Sequence, residues 1–137
     1  MGAPTPAVPG GTSGKPSASP APKLPPYDPK KKNTIGEFRG PDGTSRTLLP
    51  GWNGPAKDLP REVLSAKGGG WDIVTRTHVE GHAAALMHQR GLREATVYIN
   101  NPEICPSCQK LLPRMLPPGS RLTVVLPDGT RVPFRGR

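Results

Sequence analysis

The stretch Thr77–Leu126, THVEGHAAALMHQRGLREATVYINNPEICPSCQKLLPRMLPPGSRLTVVL, contains the elements that decide the fold. Its first part predicts a helix from Thr77 whose apolar residues share one face. Gly91 ends this helix at the position of a C-cap glycine. Residues 95–99, ATVYI, predict a strand because β-branched and aromatic side chains favour extended backbone. A second helix is predicted from Pro106, since proline suits the first helical turn.

Hairpins are predicted on both sides of these elements. Upstream, residues 35–49 read as two strands joined by a tight turn. Downstream, residues 121–126 and 130–134 read as two strands joined at Asp128-Gly129. Pro133 places the last strand at a sheet edge, because proline cannot donate a ladder hydrogen bond. The element order predicts an α/β fold, a mixed β-sheet flanked by helices, with the last two strands forming an antiparallel hairpin.

The segment between the first hairpin and the first long helix gives weaker signals. Residues 50–55, PGWNGP, predict a loop, because glycine and proline interrupt regular structure. A short helix is predicted at residues 60–67 and an extended segment at residues 71–74.

The N-terminal segment differs in composition from the rest. Of the 20 prolines, nine fall in the first 33 residues, among Gly, Ala, Ser and Thr. This segment has too few apolar side chains for their burial to offset the entropy lost on ordering. Residues 1–33 are therefore predicted to be a disordered basic linker. Residues 34–137 are predicted to form the folded domain. No stretch of about 18 apolar residues suggests a membrane span, so no membrane partner is expected.

The chain carries a formal net charge of +9. The segment 1–33 has five lysines against one aspartate, a net +4, and residues 34–137 have fourteen basic against nine acidic side chains, a net +5. A basic folded part suits a polyanionic partner, although solubilising charge gives the same composition.

Three residues have the spacing of zinc ligands. Cys105 and Cys108 form a C-x-x-C pair that is able to reach one metal, and His78 begins the predicted first helix. With these three ligands, a Zn²⁺ ion keeps a fourth position for water, as catalytic zinc sites do. Glu80 lies two residues after His78, so it is the predicted catalytic acid and base. The pattern matches the zinc nucleobase deaminase signature H-x-E with P-C-x-x-C, except that Ile104 stands where the signature has proline.

Each of these residues also has a simpler interpretation. Thr77-x-x-Glu80 fits a capping box, in which Glu80 only satisfies a helix-end N–H. The cysteines fit a redox pair. If His82 joined His78 and both cysteines, the result would be a closed structural zinc site in a nucleic-acid-binding module without catalysis.

Four motifs together resemble the DddA-like branch of bacterial deaminase toxins, over about residues 34–137. They are 77–85 (THVEGHAAA), 100–102 (NNP), 105–108 (CPSC) and 116–125 (LPPGSRLTVV). The resemblance implies a cytidine-deaminase-like sheet and deamination of cytosine to uracil in DNA, for some members in duplex DNA. It also implies that the chain is the toxin domain of a secreted bacterial effector used in interbacterial competition. Such a domain acts in the cytoplasm of the target cell, and a cognate immunity protein blocks it.

Catalysis in duplex DNA requires the target base to leave the stack. Trp52 and Asn53, on the loop before the catalytic helix, are candidate substrate contacts, and so are Asn100 and Asn101 next to the cysteine loop. We expect a monomer. An RNA or nucleotide deaminase remains the alternative enzyme, because RNA presents the same phosphates as DNA.

Overall fold

The computed structural model describes most of the chain. The described ranges are residues 21–31, 33–59 and 76–136, without the side chain of Ser107. The helix predicted at residues 60–67 and the extended segment predicted at 71–74 lie outside them. Within the described ranges, no helix is both long enough and apolar enough to cross a membrane.

The described part folds into a five-stranded sheet with two α-helices and one turn of 3-10 helix. In chain order the elements are β1 (Gly36–Arg39), β2 (Ser45–Leu48), the 3-10 helix (Pro55–Asp58), α1 (Val79–Arg90), β3 (Glu94–Ile99), α2 (Pro106–Met115), β4 (Arg121–Val125) and β5 (Arg131–Arg135).

The sheet has the strand order β2-β1-β3-β4-β5. β3 and β4 are parallel, whereas every other neighbouring pair is antiparallel. This confirms the predicted mixed sheet, both hairpins, and the edge position of the strand that contains Pro133. Because α2 connects the parallel strands, its N-terminus lies at the carboxyl end of β3.

α1 is buried more completely than its sequence predicts. Every residue from Val79 to Met87 is buried, because β2, β3, α2 and the 3-10 helix all contact α1. The small side chains of Ala83, Ala84 and Ala85 let these neighbours approach closely. Gly91 ends the helix in the left-handed region at φ 63° and ψ 36°, as predicted.

α2 is amphipathic and packs beside α1. Cys108, Leu112 and Met115 are buried, whereas Gln109, Lys110 and Arg114 are exposed. The helix contains Pro113 and stops at Met115. His88 of α1 donates from Nε2 to the Met115 carbonyl oxygen at 2.7 Å, which joins the ends of the two helices.

The core lies between the helices and one face of the sheet. Alternate residues of each central strand point inwards, and Phe38, Val97, Leu122 and Val124 are completely buried there. The opposite face is polar; on it the Arg39 guanidinium lies 5.2 Å from the centre of the Tyr98 ring.

Residues 21–31 contain no helix or strand. Part of this segment faces the carboxyl ends of β3 and β4 across a groove of about 410 Å³, and the groove is lined by Leu24 and Tyr27 on one side and by Tyr98 and Leu126 on the other.

Candidate active site

The first part of the site is the N-terminus of α1. His78 is the N-cap residue, with extended backbone at φ −82° and ψ 159°, and no side chain caps the helix. The N-cap is therefore His78 and not Thr77, the N-cap that the capping-box interpretation required. The Glu80 side chain points inwards instead, and the residue is only 3% exposed.

The second part is the N-terminus of α2. Cys105 is the N-cap residue and Pro106 occupies the first turn, while Ile104 is buried in the core. Cys108, one turn into the helix, is fully buried. The N-termini of two helices thus meet at the thiols of Cys105 and Cys108.

The geometry brings the three predicted ligands together. One ligand atom each from His78, Cys105 and Cys108 lies within 4.8 Å of the other two. The Sγ atom of Cys108 is 3.4 Å from Nδ1 of His78. In a tetrahedral zinc site with usual bond lengths, a sulfur and a nitrogen ligand are about 3.6 Å apart. The donor set and its spacing therefore fit Zn²⁺.

Glu80 lies against these ligands. Its carboxylate accepts hydrogen bonds from its own backbone N–H and from the Cys108 side chain, and both lower the pKa. Burial is the larger effect and raises the pKa of Glu80 above its ordinary value.

His82 does not belong to the group that could hold a metal among the described residues. Its Nδ1 accepts a hydrogen bond from the Ala56 N–H at 3.2 Å, and its Nε2 donates to the Gly51 carbonyl oxygen at 2.8 Å. A neutral ring protonated on Nε2 satisfies both. His82 therefore fastens the loop before the 3-10 helix onto α1, and it has no ring nitrogen left for a closed zinc site in this arrangement.

The same loop carries two candidate substrate contacts. The Gly51 N–H donates to the Thr77 carbonyl oxygen at 2.7 Å, which holds the loop against the residue preceding His78. Trp52 is 56% exposed, and Asn53 is also exposed.

The two asparagines after β3 are engaged within the chain. Asn100, only 7% exposed, accepts from the Ile35 N–H at 2.8 Å and donates to the Pro25 carbonyl oxygen at 2.9 Å. Asn101 donates to Thr34 Oγ1 and accepts from a backbone N–H two residues further on. Either side-chain amide would have to give up one of these hydrogen bonds in order to form one with a substrate.

Sequence reasoning did not single out two features of this region. One is the role of His82, which depends on contacts 26 and 31 residues away. The other is Arg76, whose guanidinium lies 5.9 Å from the centre of the Trp52 ring. In the sequence, the signal for Arg76 was its position two residues before the predicted ligand His78.

Comparison with known proteins relates the chain to deaminases. A family model described as "SCP1.201-like deaminase" matches residues 4–137. The chain is also similar to "Double-stranded DNA deaminase toxin A" from Burkholderia cenocepacia (strain H111), with 33% identity over an alignment of 110 residues that covers 71% of this chain. The aligned region spans only 8% of that protein.

Proposed function

The chain belongs to the SCP1.201-like deaminase family, and from that premise we propose that it is a zinc-dependent enzyme converting cytosine to uracil in DNA. The observation that carries the proposal is the meeting of His78, Cys105 and Cys108 within 4.8 Å, with the buried carboxyl of Glu80 beside them. A purely structural zinc site has no use for that carboxyl.

The chain's own residues supply ligands and proton transfer. His78, Cys105 and Cys108 would hold Zn²⁺, which when bound lowers the pKa of a coordinated water to about 7 and so provides a nucleophile at neutral pH. Glu80 would take a proton from the attacking water and deliver it to the ring nitrogen beside the amine-bearing carbon. A second proton carried by Glu80 would accompany the amino group as it leaves as ammonia. Water and cytosine are thereby converted into uracil and ammonia.

DNA is favoured as substrate by three features. The aligned relative is by its name a deaminase of double-stranded DNA. Residues 34–137 have a net charge of +5, which a small neutral nucleoside does not require. The side chain of Trp52 is exposed on the loop that His82 fastens to α1. Trp52 and its neighbour Asn53 would contact the bases next to the target cytosine. In duplex DNA the target base must first leave the stack, at a cost of a few kcal/mol.

The wider context is proposed on the same basis. The domain at residues 34–137 would be the toxin part of a secreted bacterial effector, preceded by a linker, and would act in the cytoplasm of the target cell. A cognate immunity protein would protect the producing cell. Deamination of DNA needs no second copy of the chain, so we expect a monomer.

The test is uracil formation in oligonucleotides. Zinc-loaded protein is incubated with single- and double-stranded DNA containing cytosine, and uracil is detected by glycosylase cleavage. RNA and free cytidine are tested in parallel. Uracil in DNA supports the proposal. If only RNA or free cytidine is deaminated, the substrate is not DNA. If none of the four substrates (single-stranded DNA, double-stranded DNA, RNA and cytidine) is deaminated, the proposed enzymatic function is wrong.

A further inference from the structure

Arg76 and the exposed Trp52 form a cation–π pair. The Arg76 guanidinium lies 5.9 Å from the centre of the indole ring, a distance at which cation and ring attract. In the described part of the chain, no carboxylate forms a salt bridge with Arg76. Its Nε atom is buried and has no hydrogen-bond partner there. Among the described residues, therefore, no acidic side chain neutralises the charge of Arg76.

The pair is held next to the metal centre. Gly51, which precedes Trp52, donates to the carbonyl oxygen of Thr77, which precedes His78. One backbone hydrogen bond therefore joins the tryptophan loop to the segment that carries a metal ligand. His82 fastens the same loop a second time through Gly51. Trp52 and Arg76 are consequently positioned by the same element that positions His78.

Positive charge accumulates around this loop. Arg46 on β2 and Arg76 both act electrostatically on His82, so both guanidinium groups lie near the start of α1. Arginine binds phosphate through its planar fork of N–H donors. Exposed tryptophan stacks on nucleic-acid bases without regard to sequence.

We propose that Arg76 and Trp52 together form a DNA contact at the rim of the metal centre, in which Arg76 binds a backbone phosphate and Trp52 stacks on a base beside the target cytosine. This inference rests on the proposed function, and it adds Arg76 as a DNA-contacting residue. The indole holds the guanidinium in place, so the two side chains act as one unit.

The experiment measures DNA binding without turnover. The full-length chain carries Glu80→Gln, and its affinity for a cytosine-containing duplex is determined over a range of salt concentrations. Arg76→Ala should reduce the magnitude of the slope of log K against log salt by about 0.9. Arg76→Lys should keep the slope but bind more weakly, because it lacks the planar group that stacks on Trp52. Arg135→Ala, at an exposed position on the opposite edge strand, removes the same charge and should leave the slope unchanged.

Tryptophan fluorescence gives a second readout. The chain has two tryptophans, and DNA should quench the Trp52 emission by stacking. Trp52→Phe should remove that part of the quenching and leave the contribution of Trp71. Trp52→Ala should weaken binding roughly tenfold, and adding Arg76→Ala should weaken it by less than the product of the two single effects.

The outcomes separate this inference from the proposed function. An unchanged salt slope in Arg76→Ala, with unchanged quenching in Trp52→Phe, overturns the contact even when the wild-type chain deaminates DNA. A reduced slope with lost quenching, in a chain that forms no uracil, supports the contact and overturns the catalytic proposal. If Arg76→Ala does not fold, an affinity of Arg76→Lys equal to that of the parent chain overturns the paired arrangement.

Discussion

The Sγ atom of Cys108 lies 3.4 Å from Nδ1 of His78, although 30 residues separate them in the sequence. Each residue sits at the start of a different helix, and those helices pack side by side. The contact is therefore a product of the fold, and the proposed zinc site depends on both helix N-termini being held in place.

Zinc should stabilise the folded chain through these ligands. A ligand that binds only the folded state at about a thousand times its dissociation constant adds about 4 kcal/mol of stability. We expect the melting temperature to fall when zinc is removed by chelation and to recover when zinc is added. Cys108→Ser should abolish this dependence, whereas Glu80→Gln should keep it. A wild-type melting temperature that changes with neither chelator nor added zinc would contradict zinc binding by these residues.

The environment of His82 predicts a loss of stability in acid. Burial lowers the pKa of the His82 imidazole below its ordinary 6.5, and the hydrogen bond to Gly51 partly opposes this. Positive charge on nearby side chains lowers the pKa further; these are Arg46, Arg76 and His78.

Since the unfolded chain takes up this proton at higher pH than the folded chain, the free energy of unfolding should decrease as pH falls below about 6.5. The loss should level off below the folded pKa, where both states are protonated. Denaturant unfolding between about pH 8 and about pH 5 measures this. His82→Gln should be less stable at neutral pH and should lose less stability on acidification than wild type. Equal pH dependence in both proteins would show that His82 does not carry the effect.

Gly54 should be intolerant of a side chain. A Cβ atom there would lie 2.6 Å from the His82 ring, while the backbone of Gly54 is extended at φ −178° and allows any residue. Gly54→Ala should therefore displace the ring and cost about 1–3 kcal/mol by overpacking. The neighbouring exposed Asn53→Ala is the control for thermal unfolding. A Gly54→Ala protein as stable as that control would contradict the packing described here.

The N-terminal segment should contribute to stability from residue 21 onwards. The Pro25 carbonyl oxygen accepts a hydrogen bond from Asn100, and Leu24 and Tyr27 are half-buried. Deleting residues 1–33 removes the acceptor of the buried Asn100 side-chain N–H, so the free energy of unfolding should fall by about 1–3 kcal/mol. Deleting only residues 1–20 should have little effect. Equal stability of the two truncated chains would support residue 34 as the start of the folded domain.

The elements that local sequence determines were predicted well. Gly91 ends α1 as a C-cap glycine, and Pro133 lies on an edge strand, because backbone geometry restricts where these residue types fit. The cysteine pair was singled out from its C-x-x-C spacing and His78 from its H-x-E motif, and the fold brings the three residues together.

The contacts between distant segments could not be read in the same way. His82 looked equally suited to a metal, and only the position of the loop at Gly51 and Ala56 shows what its nitrogens bind. The engagement of Asn100 with Pro25 bridges 75 residues. Such partners depend on tertiary packing, which no local pattern encodes.

The central claim is that Glu80 performs proton transfer at a zinc site. It is tested most directly by measuring bound zinc and uracil formation in the same preparations of wild type and Glu80→Gln. We expect one zinc per chain in both proteins, uracil in DNA treated with wild type, and at least a hundredfold less with Glu80→Gln, the range expected for loss of a general acid–base group. Wild-type activity in zinc-loaded Glu80→Gln, or zinc-loaded wild type that forms no uracil, would contradict the account.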